Sequence, residues 1–248
     1  MADAPSDSLR DVYERRAERS YAEPASPRER RWRKFEGVWE LLREGLPCER
    51  FLDAGCGDGR HLVAVGRSAG SLTGLDLSER ILQTARQALA VEGLAADLRQ
   101  GNLEALPFAD AEFDLVLCTQ VIEHLLAPER GVAELARVLR PGGRLVLTTD
   151  NRRSFSRVLN APRTGLMLLL RGRKHTFEFP HASFTVRQVL DLVEGAGLRP
   201  ERVETFRFHL DKPFDDQTAP VVQQVLDAID RALPRHGYGD VVGVLARK

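Results

Sequence analysis

The spacing of hydrophobic positions changes period several times along this chain. Continuous apolar runs, the mark of buried strands, fall at Arg50–Ala54, Ser71–Asp76, Phe113–Thr119 and Arg144–Thr149, with a shorter one at Asp97–Gln100. Between them, apolar residues recur at helical spacing over Arg60–Ala69, Glu79–Glu92 and Glu129–Leu139. Ser78 stands where the second of these helices needs an N-cap, and Pro141-Gly142-Gly143 follows the third as a stop signal. Upstream, Trp32, Phe35, Val38, Trp39 and Leu42 share one face of a predicted helix over 28–45. Residues 1–27 are polar, carry Pro5, Pro24 and Pro27, and read as a loose arm with a short helix around Leu9–Arg19. Downstream come a helix over Thr185–Ala196 ending at Gly197, a strand in RVETFRFHL, a helix near Pro220–Leu233, and a last strand in GDVVGVLARK. Strand–helix alternation over about 100 residues predicts a parallel sheet with helices on both faces. The last two runs predict an antiparallel strand pair, with the C-terminal strand at an edge of the same sheet.

Composition narrows the picture modestly. The 248 residues suit one α/β domain with additions, and 43% hydrophobic with 29% charged residues is ordinary globular usage. Lys+Arg and Asp+Glu both number 36, so no global electrostatic grip on nucleic acid is indicated. Cys48, Cys56 and Cys118 are too scattered for a disulfide framework or a zinc pattern. No signal-peptide pattern opens the sequence, and its longest purely apolar cluster, Leu166–Leu170, is far too short to span a bilayer, so a cytoplasmic protein is expected. One local bias stands out. Residues Asn151–Phe177 hold seven Lys/Arg and no Asp or Glu, directly after the predicted fifth strand.

The stretch FLDAGCGDGRHL carries the first chemical signal. Strand 51–54 runs into Gly55-Cys56-Gly57-Asp58-Gly59 and then into a helix, which puts the loop at the carboxyl end of a strand, where open α/β sheets bind ligands. A dinucleotide loop would read G-x-G-x-x-G and hold a pyrophosphate. This one reads G-x-G-x-G and is preceded by Asp53, whose carboxylate would repel a pyrophosphate and attract an ammonium. Asp76 ends the second strand, where an acid can accept both hydroxyls of a ribose. Asn102 and Leu103 follow the third, where an amide and a backbone N–H could read an adenine edge. A ribose, an adenine, no pyrophosphate and a cationic amino-acid end together describe S-adenosyl-L-methionine.

On these residues the chain resembles the class I S-adenosylmethionine-dependent methyltransferases, in particular their quinone-methylating group. LDAGCGDGRHL is similar to the family's first motif, LTGLDLSERIL to its second, GNLEALPFADAEFDLVLCTQVIEHL to the acidic loop and fourth strand, and ELARVLRPGGRLVLTTDN to the following helix and strand. The likeness is continuous over 51–151, with a weaker echo in the last two strands. It implies a Rossmann-like, seven-stranded, mostly parallel sheet with an antiparallel C-terminal strand. It also implies that Asp53, Gly55, Cys56, Gly57 and Gly59 surround the methionine part, that Asp76 holds the ribose with Leu77 beside the adenine, and that Asn102 and Leu103 contact the adenine. Gln120 would lie near the methionine backbone or the sulfonium, and Arg31, Arg33 or Lys34 would reach toward the cofactor carboxylate. Asn102 departs from the family's usual Asp, but an amide can both accept and donate there. The expected organisation is an N-terminal arm and helices over 1–45 covering the cofactor site, then the methyltransferase domain over 46–248 with a substrate-covering insertion at 151–184.

For the transfer itself the protein mainly supplies position and desolvation, and a general base matters when the nucleophile is a hydroxyl. His124 and His181 are the candidate catalytic residues, with His175 and His209 as further histidines. Glu123, His124 and His181 could ligate a metal, but Gln120 replaces the first acid of the family's metal-binding pattern and no metal is expected. The turn CTQVIEH lacks the Asn/Asp-Pro-Pro-aromatic signature of adenine-methylating enzymes, so nucleic acid is not an expected partner. The reading is a small-molecule methyltransferase acting on oxygen, with nitrogen and carbon acceptors, a metal-assisted reaction and a non-catalytic cofactor-binding module as alternatives. Homodimer formation is left open.

Overall fold

A computed structural model of the protein describes residues 36–154, 182–206 and 239–248. The arm, the basic 155–181 stretch, the helix near Pro220–Leu233, His175, His181, His209 and the basic residues Arg31, Arg33 and Lys34 lie outside the described residues.

The elements alternate as the hydrophobic pattern predicts. In chain order they are α1 (Glu36–Arg43), β1 (Cys48–Ala54), α2 (Arg60–Val65) continued by a 3₁₀ turn (Gly66–Ser68), β2 (Ala69–Asp76), α3 (Glu79–Val91), β3 (Asp97–Gln100) and β4 (Phe113–Thr119). A 3₁₀ turn (Ile122–His124) follows, then α4 (Pro128–Val138), β5 (Leu139–Asp150), α5 (Val186–Gly195), β6 (Arg199–Phe206) and β7 (Val241–Arg247). Ser78 caps α3 as expected, its hydroxyl accepting the Ile81 N–H. Thr185 and Gln188 close a reciprocal capping box at the start of α5.

The strands form one seven-stranded sheet in the order β3-β2-β1-β4-β5-β7-β6, with β3 to β5 parallel and β7 antiparallel to both neighbours. Alternate residues of the central strands feed two cores. Leu52, Val116, Leu145 and Leu147 pack under α4 and α5, while Phe51, Leu115, Leu117 and Val146 pack with residues of α1, α2 and α3. This two-sided burial is why those strands read as unbroken apolar runs.

Two expectations change. The C-terminal strand is not at the edge. β7 lies between β5 and β6, and its six buried residues Val241–Ala246 fit an interior strand. The edge is β6, half-exposed, with Arg199, Glu201 and Arg202 as the charged positions that discourage further pairing. Second, Pro141-Gly142-Gly143 does not simply end α4. The helix stops at Val138, Leu139 already pairs with Phe113, and the glycines lie within a register shift of β5. There Gly142 donates to the carbonyl of Lys248, and the Lys248 N–H donates back to Gly143, both at 3.0 Å. Irregular backbone is thereby paired with the last residue of the chain instead of being left unsatisfied.

α1 packs against β5 and β7. A Cβ on its Gly37 would sit 2.5 Å from the Phe206 ring, so helix and sheet approach as closely as glycine allows. No helix among the described residues is long and apolar enough to cross a membrane.

Candidate functional site

The strand order reverses direction at β1 and β4, and the loops leaving their carboxyl ends flank one crevice. The loop after β1 is the glycine stretch. The N–H groups of Gly55 and Cys56 both donate to the Leu75 carbonyl, at 2.7 and 2.9 Å, which binds the loop to β2. Gly55 has φ +91° and Gly59 has φ +75°, both in the left-handed region. A Cβ at Gly55 would lie 2.3 Å from Cγ2 of Val121 in the loop after β4, and one at Gly59 would lie 2.9 Å from the Ala85 Cβ on α3. The two loops and α3 therefore close around a turn that has no room for side chains. Cys56 faces the core, not the crevice, and its backbone N–H is already spent on Leu75. Burial first, then the Asp53 and Asp76 carboxylates, push its thiol well above the usual range, so it stays a neutral packing group.

Asp76 ends β2 and joins the two halves of the site. Its Oδ2 accepts the Gly57 N–H and its Oδ1 accepts the Ser78 N–H, each at 3.0 Å. A carboxylate offers about four lone-pair positions, so two backbone donors do not exhaust it, and a vicinal diol could still donate to the same group. Asp53 differs. It is fully buried, and neither carboxylate oxygen has a hydrogen-bond partner among the described residues. Burial, then the nearby Asp76 and Asp58 carboxylates, hold its acidity well above the usual carboxylate range, opposed only by Arg60. That guanidinium already makes two bonds to Asp58, at 2.7 and 2.6 Å.

The rim after β4 contains a second unsatisfied group. Gln120 has φ +56°, unusual for a residue with a side chain. Its backbone N–H donates to Thr148 at 3.0 Å, while its buried Nε2 has no partner among the described residues. Strained backbone with an unspent donor is a pattern that clusters at ligand sites. Next to it, Glu123 is 1% exposed, accepts the Thr149 hydroxyl at 2.8 Å, and offers its carbonyl to Ala182 at 2.8 Å. Its carboxylate is thus tied to β5, while His124 sits half-buried at the end of the turn. Sequence reasoning missed this role for Glu123, because its hydroxyl partner lies 26 residues away on β5.

The remaining expected contacts are placed unevenly. Asn102 uses its Oδ1 to accept the Glu104 N–H at 3.0 Å, and Leu103 is buried in the core below α4, so the adenine contact expected of them would rest on leftover lone pairs and backbone groups. Leu77 is half-buried, and its carbonyl accepts the Gln100 amide at 3.0 Å.

A family model described as a methyltransferase domain matches residues 52–147. A Mycolicibacterium smegmatis protein named "probable S-adenosylmethionine-dependent methyltransferase" is 34% identical over 177 residues, covering 71% of this chain and 67% of the relative. The chain belongs to the class I S-adenosylmethionine-dependent methyltransferases. Ubiquinone biosynthesis O-methyltransferase of Hahella chejuensis is 36% identical over 133 residues, 52% of this chain. The chain spans 56% of that relative's length. Among solved structures, an S-adenosylmethionine-dependent methyltransferase from Mesorhizobium loti superposes with TM-score 0.61 at 23% identity, over 87% of this chain and 99% of that one. A Thermotoga maritima methyltransferase gives 0.63 at 23% identity, over 97% and 99%. These two likenesses show the shared fold.

The cofactor of this methyltransferase is S-adenosyl-L-methionine, and the crevice suits it. Val121 and Ala85 close on the glycine turn so that no side chain fits there, and the buried Asp53 carboxyl, without a hydrogen-bond partner among the described residues, offers acceptors to a cation. A dinucleotide pyrophosphate would meet the Asp53, Asp58 and Asp76 acids instead.

His61, on the first turn of α2, adds a pH-sensitive element to the loop. Burial, then the Arg60 charge, lower its pKa from 6.5 to about 4, with Asp58 opposing. Because the folded pKa lies below the unfolded one, the unfolded chain takes up the proton first on acidification. Stability from this residue is therefore present above about pH 6.5 and is lost as pH falls toward about 4. Relative to a His61→Gln variant, the wild type should lose about 3 kcal/mol between those limits. Urea unfolding of both proteins across the range checks this, and parallel curves would refute it.

Proposed function

We propose that this methyltransferase moves a methyl group from S-adenosylmethionine to a hydroxyl oxygen of a small-molecule acceptor. Bound in the crevice, the cofactor supplies a methyl carbon already activated on a sulfonium, so the chain's own work is to bind, orient and exclude water. The observation that carries the reading is the pair of unsatisfied groups, Asp53 and the Gln120 amide, on either side of the turn at Gly55. In this reading Asp53 and the glycine loop, with Cys56 as its packed base, surround the cationic amino-acid end. Asp76 takes the ribose hydroxyls, Leu77 with Asn102 and Leu103 holds the adenine, and Gln120 lies by the methionine backbone or the sulfonium, its unspent N–H donor suiting the cofactor carboxylate. His124 and His181 are the candidates to accept the acceptor's proton, and the 151–184 region is the proposed acceptor cover. The preference for oxygen draws on the ubiquinone O-methyltransferase relatives, 36% identical over 133 residues in one case and 39% over 103 in another.

Methyl-labelled S-adenosylmethionine offered with a panel of catechols, phenols and matched amines should place label on phenolic oxygen. Label on amines or ring carbon alone would sink the oxygen assignment, and cofactor binding without transfer to any acceptor would favour a binding module.

A further inference from the structure

Asp53 is the one residue of the glycine loop's neighbourhood whose surroundings are all wrong for a charge. It lies on the sheet face shared with Phe51, toward α2 and α3, and is fully buried. From its own loop it is faced by the Asp58 carboxylate, the Arg60 guanidinium and the Cys56 thiol, from β2 by the Asp76 carboxylate, and from β4 by the Cys118 thiol. α3 turns Leu82 and Ala85 inward and pairs its Glu79 with Arg86 at the exposed side. The single cation of this set, Arg60, is bidentate to Asp58. An ionised Asp53 would be a buried charge beside two others of its own sign, without a hydrogen bond to either oxygen among the described residues. A neutral carboxyl in the same place needs no counter-charge.

We propose that Asp53 is a specificity residue that recognises the cationic end of its ligand by proton exchange. It stands as a neutral acid in the empty site and ionises when the ammonium and sulfonium dock against the loop. In that step the carboxyl O–H bond breaks, its electron pair stays on the carboxylate, and the proton passes to solvent. Ligands lacking the cationic amino-acid end leave the proton in place. The inference rests on the placement of that end against the glycine loop given above.

Proton linkage can be read without an acceptor. Calorimetric titration of S-adenosylmethionine near about pH 6, where the ligand's own α-amino group (pKa about 7.7–8.0) is already charged, is run in buffers of differing ionisation enthalpy. The dependence of observed heat on buffer should show net proton release on binding. Below the empty-site pKa, affinity should tighten by up to about tenfold for each unit rise in pH. S-adenosylhomocysteine, which keeps the ammonium, should also release a proton, and 5′-methylthioadenosine, which lacks the amino-acid end, should release none. In Asp53→Asn the buffer dependence should vanish; if that variant does not fold, the wild-type buffer series decides. Tight S-adenosylmethionine binding with no proton release, or equal release on binding 5′-methylthioadenosine, overturns this inference alone. Absence of binding by either ligand carrying the amino-acid end overturns the site placement with it.

Discussion

Asp76→Ala should weaken S-adenosylmethionine binding by about two orders of magnitude, roughly 3 kcal/mol. Two losses combine. The carboxylate fixes the Gly57 N–H from the glycine loop and the Ser78 N–H from the cap of α3, both at 3.0 Å, so truncation leaves two donors without their acceptor and loosens the turn. It also removes the charged acceptor proposed for the ribose hydroxyls, and hydrogen bonds to a charged group contribute about 1.5–3 kcal/mol each. Asp76→Asn separates the two. The amide keeps one acceptor oxygen, so one of the two backbone donors still loses its partner; the variant should be more stable than Asp76→Ala while still losing at least tenfold in affinity. Calorimetry with S-adenosylmethionine and with 5′-methylthioadenosine, which shares the ribose, should show parallel losses. Wild-type affinity in the alanine variant would refute the ribose assignment.

Asp76 could be found in the sequence because its signal is local: an acid at the end of an apolar run, followed by a serine cap. The same holds for Asp53, the G-x-G-x-G turn and the interior strands β1, β2, β4 and β5, whose apolar runs follow directly from burial on both faces. What stayed hidden depends on register between distant strands. Glu123 reads as the acid of a Glu-His pair, and only the pairing of β4 with β5 shows its carboxylate taken by Thr149. The place of β7 inside the sheet was likewise illegible, since a terminal apolar strand of this length suits an edge or an interior position until its neighbours are known. Asn151 shows the same limit. It sits just past β5, fully buried, bonded through its Nδ2 to the Gly239 carbonyl at 2.7 Å and through its backbone N–H to Asp240 at 2.8 Å. Nothing within several residues of Asn151 announces a contact 88 positions away. The left-handed Gln120 is the remaining surprise, because glutamine has little propensity for that backbone, and the Thr148 carbonyl that holds its N–H lies on another strand.

Gly55→Ala should be strongly damaging, with the shortest Cβ contact found at any described glycine. Two costs coincide at that position. The backbone sits at φ +91°, where an L side chain is strained by about 1–3 kcal/mol. The new Cβ would also fall 2.3 Å from Cγ2 of Val121, far inside van der Waals contact, so one of the two loops must move. Val121 cannot retreat without disturbing Gln120 beside it or the turn at Ile122, which is packed in the core below α4. The expected destabilisation is about 3–4 kcal/mol, a fall in Tm of about 10 °C for a domain of this size. Cofactor affinity should fall by a further tenfold or more, because the moved loop carries Gly57, whose N–H aligns Asp76. A double-mutant cycle with Val121→Ala distinguishes the two costs. Shrinking the valine relieves the overlap but not the backbone strain, so Gly55→Ala/Val121→Ala should recover about half of the stability lost by Gly55→Ala alone, measured against Val121→Ala. Strictly additive effects would mean that the loops do not meet at this point. A Gly55→Ala protein with wild-type Tm and affinity would show that the turn is not a tight hinge between β1 and β4.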